Sequence, residues 1–223
     1  MSVALPRRVA LPQLLADHTR SLAGCRRCGN SDPGVLPILS AARAPRVMLV
    51  GQAPGRTEVS DRRPFAGRAG RTLFRWLESA GMNESRVREH IYIAAITRCY
   101  PGPSPGGRGD RVPSLRERAL CSGWLDTELA LIRPALIIPV GRLAVDRFLG
   151  PVPLEAVVGT RVTIAVARGS AEVIALPHPS GASSWVNLAA HRTLLDRALQ
   201  LLGESLTRLR VSAVTGSARN HSA

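Results

Sequence analysis

The sequence contains no lysine, and all 30 of its basic residues are arginine. A P-loop nucleotide-binding site requires a lysine on the phosphates, so that class of protein is excluded. Enzymes that form a Schiff base through a lysine amine are disfavoured for the same reason. The chain also lacks an apolar run of the roughly 18–20 residues that a membrane-spanning helix needs. No apolar segment follows Arg7 and Arg8, so we predict no secretory signal and a cytoplasmic protein.

The composition indicates one folded domain with a large positive charge. The 223 residues are enough for one filled α/β core and too few for two. We therefore predict a single domain over residues 1–211 and a small, polar, disordered tail over 212–223. The formal charge of +14 favours contact with the phosphates of a nucleic acid. A basic protein without a nucleic-acid role has the same composition, so charge alone does not decide. Nothing indicates an oligomer, and we expect a monomer.

Short apolar strands alternate with helices along the chain. Strands are predicted over residues 47–50, 91–96, 135–140, 162–166 and 172–176, and helices over 12–24, 69–80, 114–132, 142–149 and 188–203. Strands that are apolar throughout are typical of a parallel sheet with helices on both faces. Ligands of such sheets bind beyond the carboxyl ends of the strands. The loop after Gly51, the segment 95–99 and the loop around His178 are expected at that edge.

Three motifs follow predicted strands or precede predicted helices. In GQAPG (51–55), two glycines let backbone N–H groups approach a ligand closely. In RPFAGRAG (63–70), Phe65 offers a flat face on which a base can stack. In LPHPSG (176–181), two prolines fix the direction of His178. Each motif also has an ordinary interpretation, respectively a strand-to-loop turn, an anchor for the next helix and a hydrogen-bonded loop histidine.

The four cysteines, at positions 25, 28, 99 and 121, suggest either a metal site or separate core residues. Disulfides are not expected in a cytosolic protein. A C-x₂-C pair such as Cys25 and Cys28 suits zinc and iron–sulfur clusters alike. The wide spacing to Cys99 and Cys121 does not distinguish the two metals.

Taken together, these segments resemble the uracil-DNA glycosylase superfamily, most closely its iron–sulfur family four, with family five as a near neighbour. The resemblance extends from about Cys25 to Leu202. Four segments carry it in the order of the family: GQAPGRTE (51–58), RPFAGRAG (63–70), YIAAITRC (92–99) and PHPS (177–180). It implies an α/β fold of three α/β/α layers around a central, mainly parallel four-stranded sheet. It also implies an enzyme that removes uracil, or a related deaminated base, flipped out of DNA and leaves an abasic site.

The resemblance assigns roles in catalysis and base binding. Phe65 is expected to stack on the flipped base, and His178 to donate a hydrogen bond to uracil O2 as the base leaves. Gln52 and Ala53 are expected on the water side of the pocket. Glu58 matches a carboxylate of the first motif, and we consider it, or Asp61, for orienting the attacking water. The hypothesis as a whole requires the imidazole of His178 to face the ring of Phe65 across a slot that holds the flipped base, at the open edge of the sheet.

Further roles concern DNA and metal. Ser180 and the N–H groups after it are expected to hold a phosphate, and Trp185 is a candidate wedge whose alternative is simple packing. The predicted DNA contacts are Arg68, Ser180, Gly181, Trp185 and Arg192. The cysteines at 25, 28, 99 and 121 are implied as ligands of a structural [4Fe–4S] cluster, with zinc as the alternative.

Two positions depart from the family pattern. Gln52 stands where family four has glutamate, and a glutamine cannot act as a base toward water. Ala95 stands where the family has the asparagine that reads the base. We interpret the chain as a divergent branch with relaxed base specificity, admitting hypoxanthine or xanthine. A weakly active single-stranded-DNA-binding protein on the same scaffold and a zinc-dependent nucleic-acid-binding protein are the alternatives. Without lysine, we expect a monofunctional glycosylase.

Overall fold

The computed structural model describes residues 10–28, 35–40, 42, 45–106, 109–167, 169–180 and 184–211. The predicted tail over 212–223 and the first nine residues lie outside these ranges. Within them, no helix is both long and apolar enough to cross a lipid bilayer.

Helices and strands alternate along most of the described chain. The helices are α1 (Leu11–Ala23), α2 (Arg56–Asp61), α3 (Arg68–Ser79), α4 (Glu84–His90), α5 (Leu115–Ile132), α6 (Arg142–Leu149), α7 (Leu154–Val157) and α8 (Ala189–Arg208). The strands are β1 (Val47–Gly51), β2 (Ile91–Ala95), β3 (Leu136–Pro139), β4 (Val162–Val166) and β5 (Gly169–Val173), and a 3₁₀ turn covers Trp185–Asn187.

The strands form one sheet in the order β2-β1-β3-β5-β4. The first four strands of that order are mutually parallel, whereas β4 is antiparallel to β5. The sheet therefore has five strands instead of the expected four, because 162–166 and 169–173 pair as a hairpin at the edge. Parallel bridges at Ala175 and Leu176 continue the line of β5, which is the part that the sequence predicted as a strand.

Each face of the sheet carries its own apolar cluster. Along β1, Val47 and Leu49 belong to one cluster, whereas Met48 and Val50 belong to the other. This alternation is what the pleat of a strand produces. The first cluster includes side chains of α3, α4 and α8, and the second includes side chains of α1 and α5. The predicted three-layer α/β/α arrangement is confirmed.

The predicted long helices are confirmed, and three short ones were not predicted. Ser114 caps α5 by accepting a hydrogen bond from the backbone of Glu117, the capping-box pattern expected from the sequence. The helices α2, α4 and α7 have only four to seven residues. Such segments hold one or two buried positions at most, so their apolar period is too short to recognise.

The parallel pairing brings three loops to the same edge of the sheet. Gly51 and Ala95 are paired at the carboxyl ends of β1 and β2. The backbone N–H of Val140 donates to Val50 (2.8 Å), and that of Gly141 donates to Leu176 (2.9 Å). The segments after Gly51, after Ala95 and after Leu176 therefore share one edge, as the sequence predicted.

Candidate active site

A pocket lies between the carboxyl ends of β1 and β2. Its wall combines strand ends with the two glycine-rich loops that follow β1. The lining residues are Ile38, Gly51, Ala53, Pro54, Glu58, Pro64, Phe65, Ile93, Ala94 and Ala95. Because Glu58 is the single ionisable side chain in this lining, the pocket is suited to a flat, weakly polar ring.

Phe65 forms one wall of the pocket in a strained conformation. Its φ of 52° lies in the left-handed region, which residues other than glycine rarely adopt. A β-carbon on Gly51 would stand 2.8 Å from the ring Cζ, so the ring lies directly on the β1 backbone. A β-carbon on Gly70 would stand 1.8 Å from the Phe65 carbonyl oxygen. Both glycines are therefore required for the observed position of the ring.

Arg88, on α4, holds the loop that carries Phe65. Its guanidinium donates to the carbonyl of Pro64 (2.8 Å) and to that of Phe65 (3.4 Å). It also lies over the ring of Phe74, with 4.6 Å to the centroid, and pairs with Glu84. Sequence analysis did not identify Arg88, because it lies on a short helix outside every motif.

Glu58 connects the two loops on either side of α2. One carboxylate oxygen accepts from the backbone N–H of Gly55 (2.9 Å) and the other from that of Gly67 (3.0 Å). The side chain is buried, with 7% of the residue exposed. A β-carbon on Gly55 would also meet the Asp110 carboxylate at 2.8 Å. Asp110 is thus a second acidic group at this turn, one that sequence analysis missed, whereas Asp61 is exposed at the end of α2.

Of the two positions that depart from the family pattern, Ala95 lines the pocket, whereas Gln52 is not among its lining residues. Gln52 follows β1, and its carbonyl accepts from the backbone of Thr97 (3.2 Å). Within the described residues its side chain makes no hydrogen bond. Ala53 and Ala95 line the pocket, and each contributes only a methyl group to its wall.

His178 is held as a neutral imidazole with a defined tautomer. The backbone N–H of Ser180 donates to Nδ1 (3.2 Å), so Nδ1 carries no proton and the ring proton lies on Nε2. The Ser180 hydroxyl is 2.8 Å from the same nitrogen. Burial lowers the pKa of His178 below its ordinary value of 6.5. The side chain therefore presents an N–H donor at neutral pH without a formal charge.

His178 and Phe65 rest on glycines at the ends of neighbouring strands. The Phe65 ring contacts Gly51 after β1, and a β-carbon on Gly141 after β3 would stand 2.9 Å from Cδ2 of His178. Because β1 and β3 are paired directly, both glycines lie at the carboxyl edge of the sheet. Phe65 lines the pocket, whereas His178 is not among its lining residues, so a slot in which His178 faces Phe65 stays a prediction.

The predicted phosphate contacts are only partly described. Arg68 begins α3 and is exposed to solvent. The Ser180 hydroxyl is engaged with His178 Nδ1, so its role toward a phosphate stays a prediction. Gly181 lies outside the described residues.

Trp185 and Arg192 form part of a packed turn before and within α8. The Trp185 ring stacks on His191, with 4.2 Å between centroids and 12° between planes. Arg192 donates to the carbonyl of Asn187 (2.8 Å) while remaining exposed. Trp185 is half-buried, in line with its packing interpretation, and its role as a wedge stays a prediction.

The cysteines lie on three segments that meet on one face of the sheet. Cys25 and Cys28 follow α1, Cys99 follows β2, and Cys121 lies within α5. All four are free thiols. The backbone N–H of Arg98 donates to the sulfur of Cys121.

Electrostatic effects among the thiols show that they are close together. Burial, followed by the charges of the other three cysteines, raises the pKa of Cys99 to about 12. Burial likewise raises the pKa of Cys28 and of Cys121, with the charge of Cys25 acting in the same direction. Among the residues that the structure describes, no set of three or more His, Cys, Asp or Glu side chains has the geometry to hold a metal ion as it stands.

Comparison with known proteins agrees with this geometry. A family model described as "Uracil DNA glycosylase superfamily" matches residues 39–203. The chain is 31% identical to the type-4 uracil-DNA glycosylase of Archaeoglobus fulgidus over 173 residues, which is 74% of this chain and 81% of that protein. It is 32% identical to the enzyme of the same name from Thermotoga maritima over 142 residues, 60% of this chain and 65% of that protein. A type-4 uracil-DNA glycosylase of Sulfurisphaera tokodaii is 33% identical over 97 residues, 43% of this chain and 40% of that protein. The chain therefore belongs to the uracil DNA glycosylase superfamily, with relatives of the type-4 class.

Proposed function

We propose that this chain cleaves the N-glycosidic bond of a uracil flipped out of DNA and leaves an abasic site. The observation that carries the proposal is the placement of the Phe65 ring on Gly51 and of His178 on Gly141, at the carboxyl ends of the neighbouring strands β1 and β3. An aromatic face to stack on and a neutral N–H donor are the groups that an extruded, departing base needs. The printed names of the relatives support uracil as the base.

In the proposed reaction, the bond between C1′ of the sugar and N1 of uracil breaks, and its electron pair leaves with the base. Negative charge collects on uracil O2, where the Nε2–H of His178 donates a hydrogen bond. A preorganised donor of this kind contributes about 3–4 kcal/mol to stabilising the transition state. Water then adds to the cationic C1′ and loses a proton, which gives the abasic sugar.

The attacking water needs orientation more than it needs a strong base, because the cationic sugar is itself a strong electrophile. Glu58 lines the pocket and is the carboxylate that we assign to this task, with Asp61 as the alternative. Two backbone N–H groups fix the Glu58 carboxylate, and its remaining lone pairs can accept from water. Gln52 would only position the water, since an amide does not accept its proton.

Base selection would be relaxed in this chain. The lining contributes shape and a stacking face, but Ala95 offers no hydrogen bond to the imide edge of uracil. Sites that hydrogen-bond their substrate reject analogues strongly, whereas apolar pockets discriminate weakly. Other deaminated bases, including hypoxanthine and xanthine, are therefore proposed as further substrates.

We also propose that the four thiols hold a [4Fe–4S] cluster, with zinc as the alternative. Four free cysteines that influence one another's ionisation, one with a backbone N–H on its sulfur, fit either group. The resemblance to the iron–sulfur family favours the cluster. When bound, the group would cross-link α1, the exit of β2 and α5, and it supplies no atom to the glycosidic reaction. Iron, sulfide and zinc analysis of the purified protein, with its visible spectrum, separates the two.

DNA is the proposed partner, bound along the edge that carries the pocket. The charge of +14 supplies the general attraction, and Arg68, Ser180, Gly181, Trp185 and Arg192 are the proposed local contacts. We expect the protein to act as a monomer, which sedimentation with and without DNA would test.

The test is incubation with an oligonucleotide that contains one uracil, followed by alkali. Strand breakage at the uracil is expected only after alkali, because a chain without lysine has no such amine for a Schiff base. The same oligonucleotide with thymine is the control. Retained binding without any breakage would instead support the single-stranded-DNA-binding alternative, which the residues at positions 52 and 95 favour.

A further inference from the structure

A buried polar network lies behind the cysteines, around Glu128. Glu128 is completely buried and accepts from three side chains, one on α1 and two on β2 and the segment after it. His18 Nε2 lies 3.1 Å from Oε1, and the Tyr92 hydroxyl donates to the same oxygen at 2.8 Å. The guanidinium of Arg98, itself 2% exposed, pairs with Oε2. Nothing in the proposed base-excision chemistry uses these groups.

Each segment in this network also carries a cysteine. His18 lies on α1, which ends just before Cys25, and Arg98 directly precedes Cys99 in the chain. Glu128 and Cys121 lie on α5, about two helical turns apart. The network therefore joins the three segments that supply the four thiols.

A second set of contacts joins the same segments closer to the sulfurs. The guanidinium of Arg27, between the first two cysteines, lies over the ring of Trp124 on α5 at 4.9 Å. His18 meets the same ring edge-on, with 5.4 Å between centroids. The backbone N–H of Arg98 donates to the sulfur of Cys121. These contacts restrict the segments to one mutual arrangement.

Stability alone gives no reason for such a network. A buried ion pair is generally no more stabilising than apolar side chains of the same volume, because removing two charges from water is costly. What a buried polar network does provide is one fixed geometry, since each partner must stay in place to satisfy the others.

We propose that Glu128 is a positioning residue whose network holds the cysteine-bearing segments together before any metal binds. The inference rests on the thiol site of the proposed function. The thiols would then need only local rearrangement to ligate a metal, so their affinity for a metal depends on Glu128. Loss of the network would leave the same ligands on segments that must be ordered at the expense of binding free energy.

Titration of the metal-free, reduced protein with Co²⁺ tests this, because thiolate ligation of Co²⁺ gives charge-transfer absorption. Glu128→Gln keeps the volume but removes the charge that Arg98 requires. We expect its Co²⁺ affinity to fall about 10- to 100-fold, as for other residues that orient metal ligands. Tyr92→Phe removes one hydrogen bond and should weaken binding less.

The matched control is Glu172→Gln. Glu172 is a half-buried carboxylate with several partners, pairing with Arg161 and Arg208, but it lies on β5 and contacts α8. Unfolding free energies from urea titration, measured for every variant, separate stability from affinity. The control should lose stability and keep its Co²⁺ affinity.

Three outcomes would overturn the proposal. One is a folded Glu128→Gln variant that binds Co²⁺ as tightly as the unsubstituted chain. If Glu128→Gln does not fold, Tyr92→Phe is the deciding variant. A Co²⁺ affinity of Tyr92→Phe equal to that of Glu172→Gln contradicts the inference. If the unsubstituted chain shows no thiolate–Co²⁺ absorption, the thiol site itself is refuted, and the proposed role of Glu128 is refuted with it. Only the first two outcomes leave the proposed metal site intact.

Discussion

The ring of Phe65 lies directly on the backbone of Gly51, where a β-carbon would come within 2.8 Å of its Cζ. This contact places a flat apolar face at the carboxyl end of β1, beside the pocket. It also ties the conformation of one loop to the absence of a side chain in another. The proposed base capture and the local backbone therefore depend on the same few atoms.

Replacing Gly70 tests how strictly that loop is fixed. In Gly70→Ala, the new methyl group would overlap the Phe65 carbonyl, which stands 1.8 Å from its position. We expect a loss of about 1–3 kcal/mol in unfolding free energy and weaker base capture. Gly123→Ala is the control, because this helical glycine has nothing within 4 Å of the added carbon. It should gain about 0.5–1 kcal/mol. Equal unfolding free energies of the two variants in urea would contradict the predicted clash.

Removing the imidazole of His178 should affect turnover and spare binding. His178→Ala loses the Nε2–H donor, and we expect kcat to fall about 10²- to 10³-fold. Affinity for uracil-containing DNA should change little, because phosphate contacts supply most of it. His90→Ala, at the end of α4, is the control. Single-turnover cleavage and DNA binding are measured together, and a parallel loss of both in His178→Ala would count against the assigned role.

The pH dependence of kcat should follow the neutral form of His178. Since burial lowers its pKa below 6.5, the neutral donor persists as the pH falls to that value. Protonation at lower pH places a proton on Nδ1, where the Ser180 N–H now donates. We therefore expect a constant kcat down to pH 6.5 and a decline below it. A midpoint above 6.5 that disappears in His178→Ala would show that the histidine works in its charged form.

The pair of Arg111 and Glu117 should contribute to resistance against acid. Two hydrogen bonds from Arg111, at 2.7 and 2.6 Å, are the main reason that the pKa of Glu117 falls to about 2. Because its pKa is lowered, the Glu117 carboxylate stabilises the folded chain above pH 4.5. This stabilisation is lost as the pH drops toward 2. Glu117→Gln should be less stable near neutrality and show a shallower decline in that window. Exposed Glu155→Gln is the control in urea unfolding at several pH values, and identical slopes would refute the prediction.

Base specificity should tighten when an amide is restored in the pocket. Ala95→Asn places a donor and an acceptor where only a methyl group lines the wall. The preference for uracil over hypoxanthine should rise about 10-fold or more. Ala165→Asn, on the exposed face of β4, controls for the substitution itself. An unchanged ratio of kcat/KM values in a folded Ala95→Asn protein would remove Ala95 from base reading.

Much of the fold was predictable because it depends on local pattern. Apolar runs identified β1 to β4, whereas the strand predicted over 172–176 overlaps β5 only at its end. The capping pair of Ser114 and Glu117 identified the start of α5. The short helices were missed because their apolar period is too brief. The fifth strand was miscounted because the pairing of β4 with β5 depends on a hairpin partner and not on the composition of either strand.

The candidate site was predictable as far as its residues belong to motifs. Phe65, His178 and Ala95 were placed at the correct edge, since parallel strands bring their carboxyl ends together. Arg88 and Asp110 lie outside the motifs, and only the folded chain brings them to the loops that they contact.

The sequence by itself determined the alternation of strands and helices, the absence of lysine chemistry and the residue types available at the open edge. Only the tertiary structure decided which oxygen each backbone N–H meets, that Phe65 adopts a left-handed φ, and that Glu128 joins three distant segments. The physical reason is the separation along the chain over which each interaction acts. Periodicity and capping act between residues a few positions apart, whereas the tautomer of His178 and the burial of Glu128 depend on groups that come together only when the sheet and its two helical layers assemble.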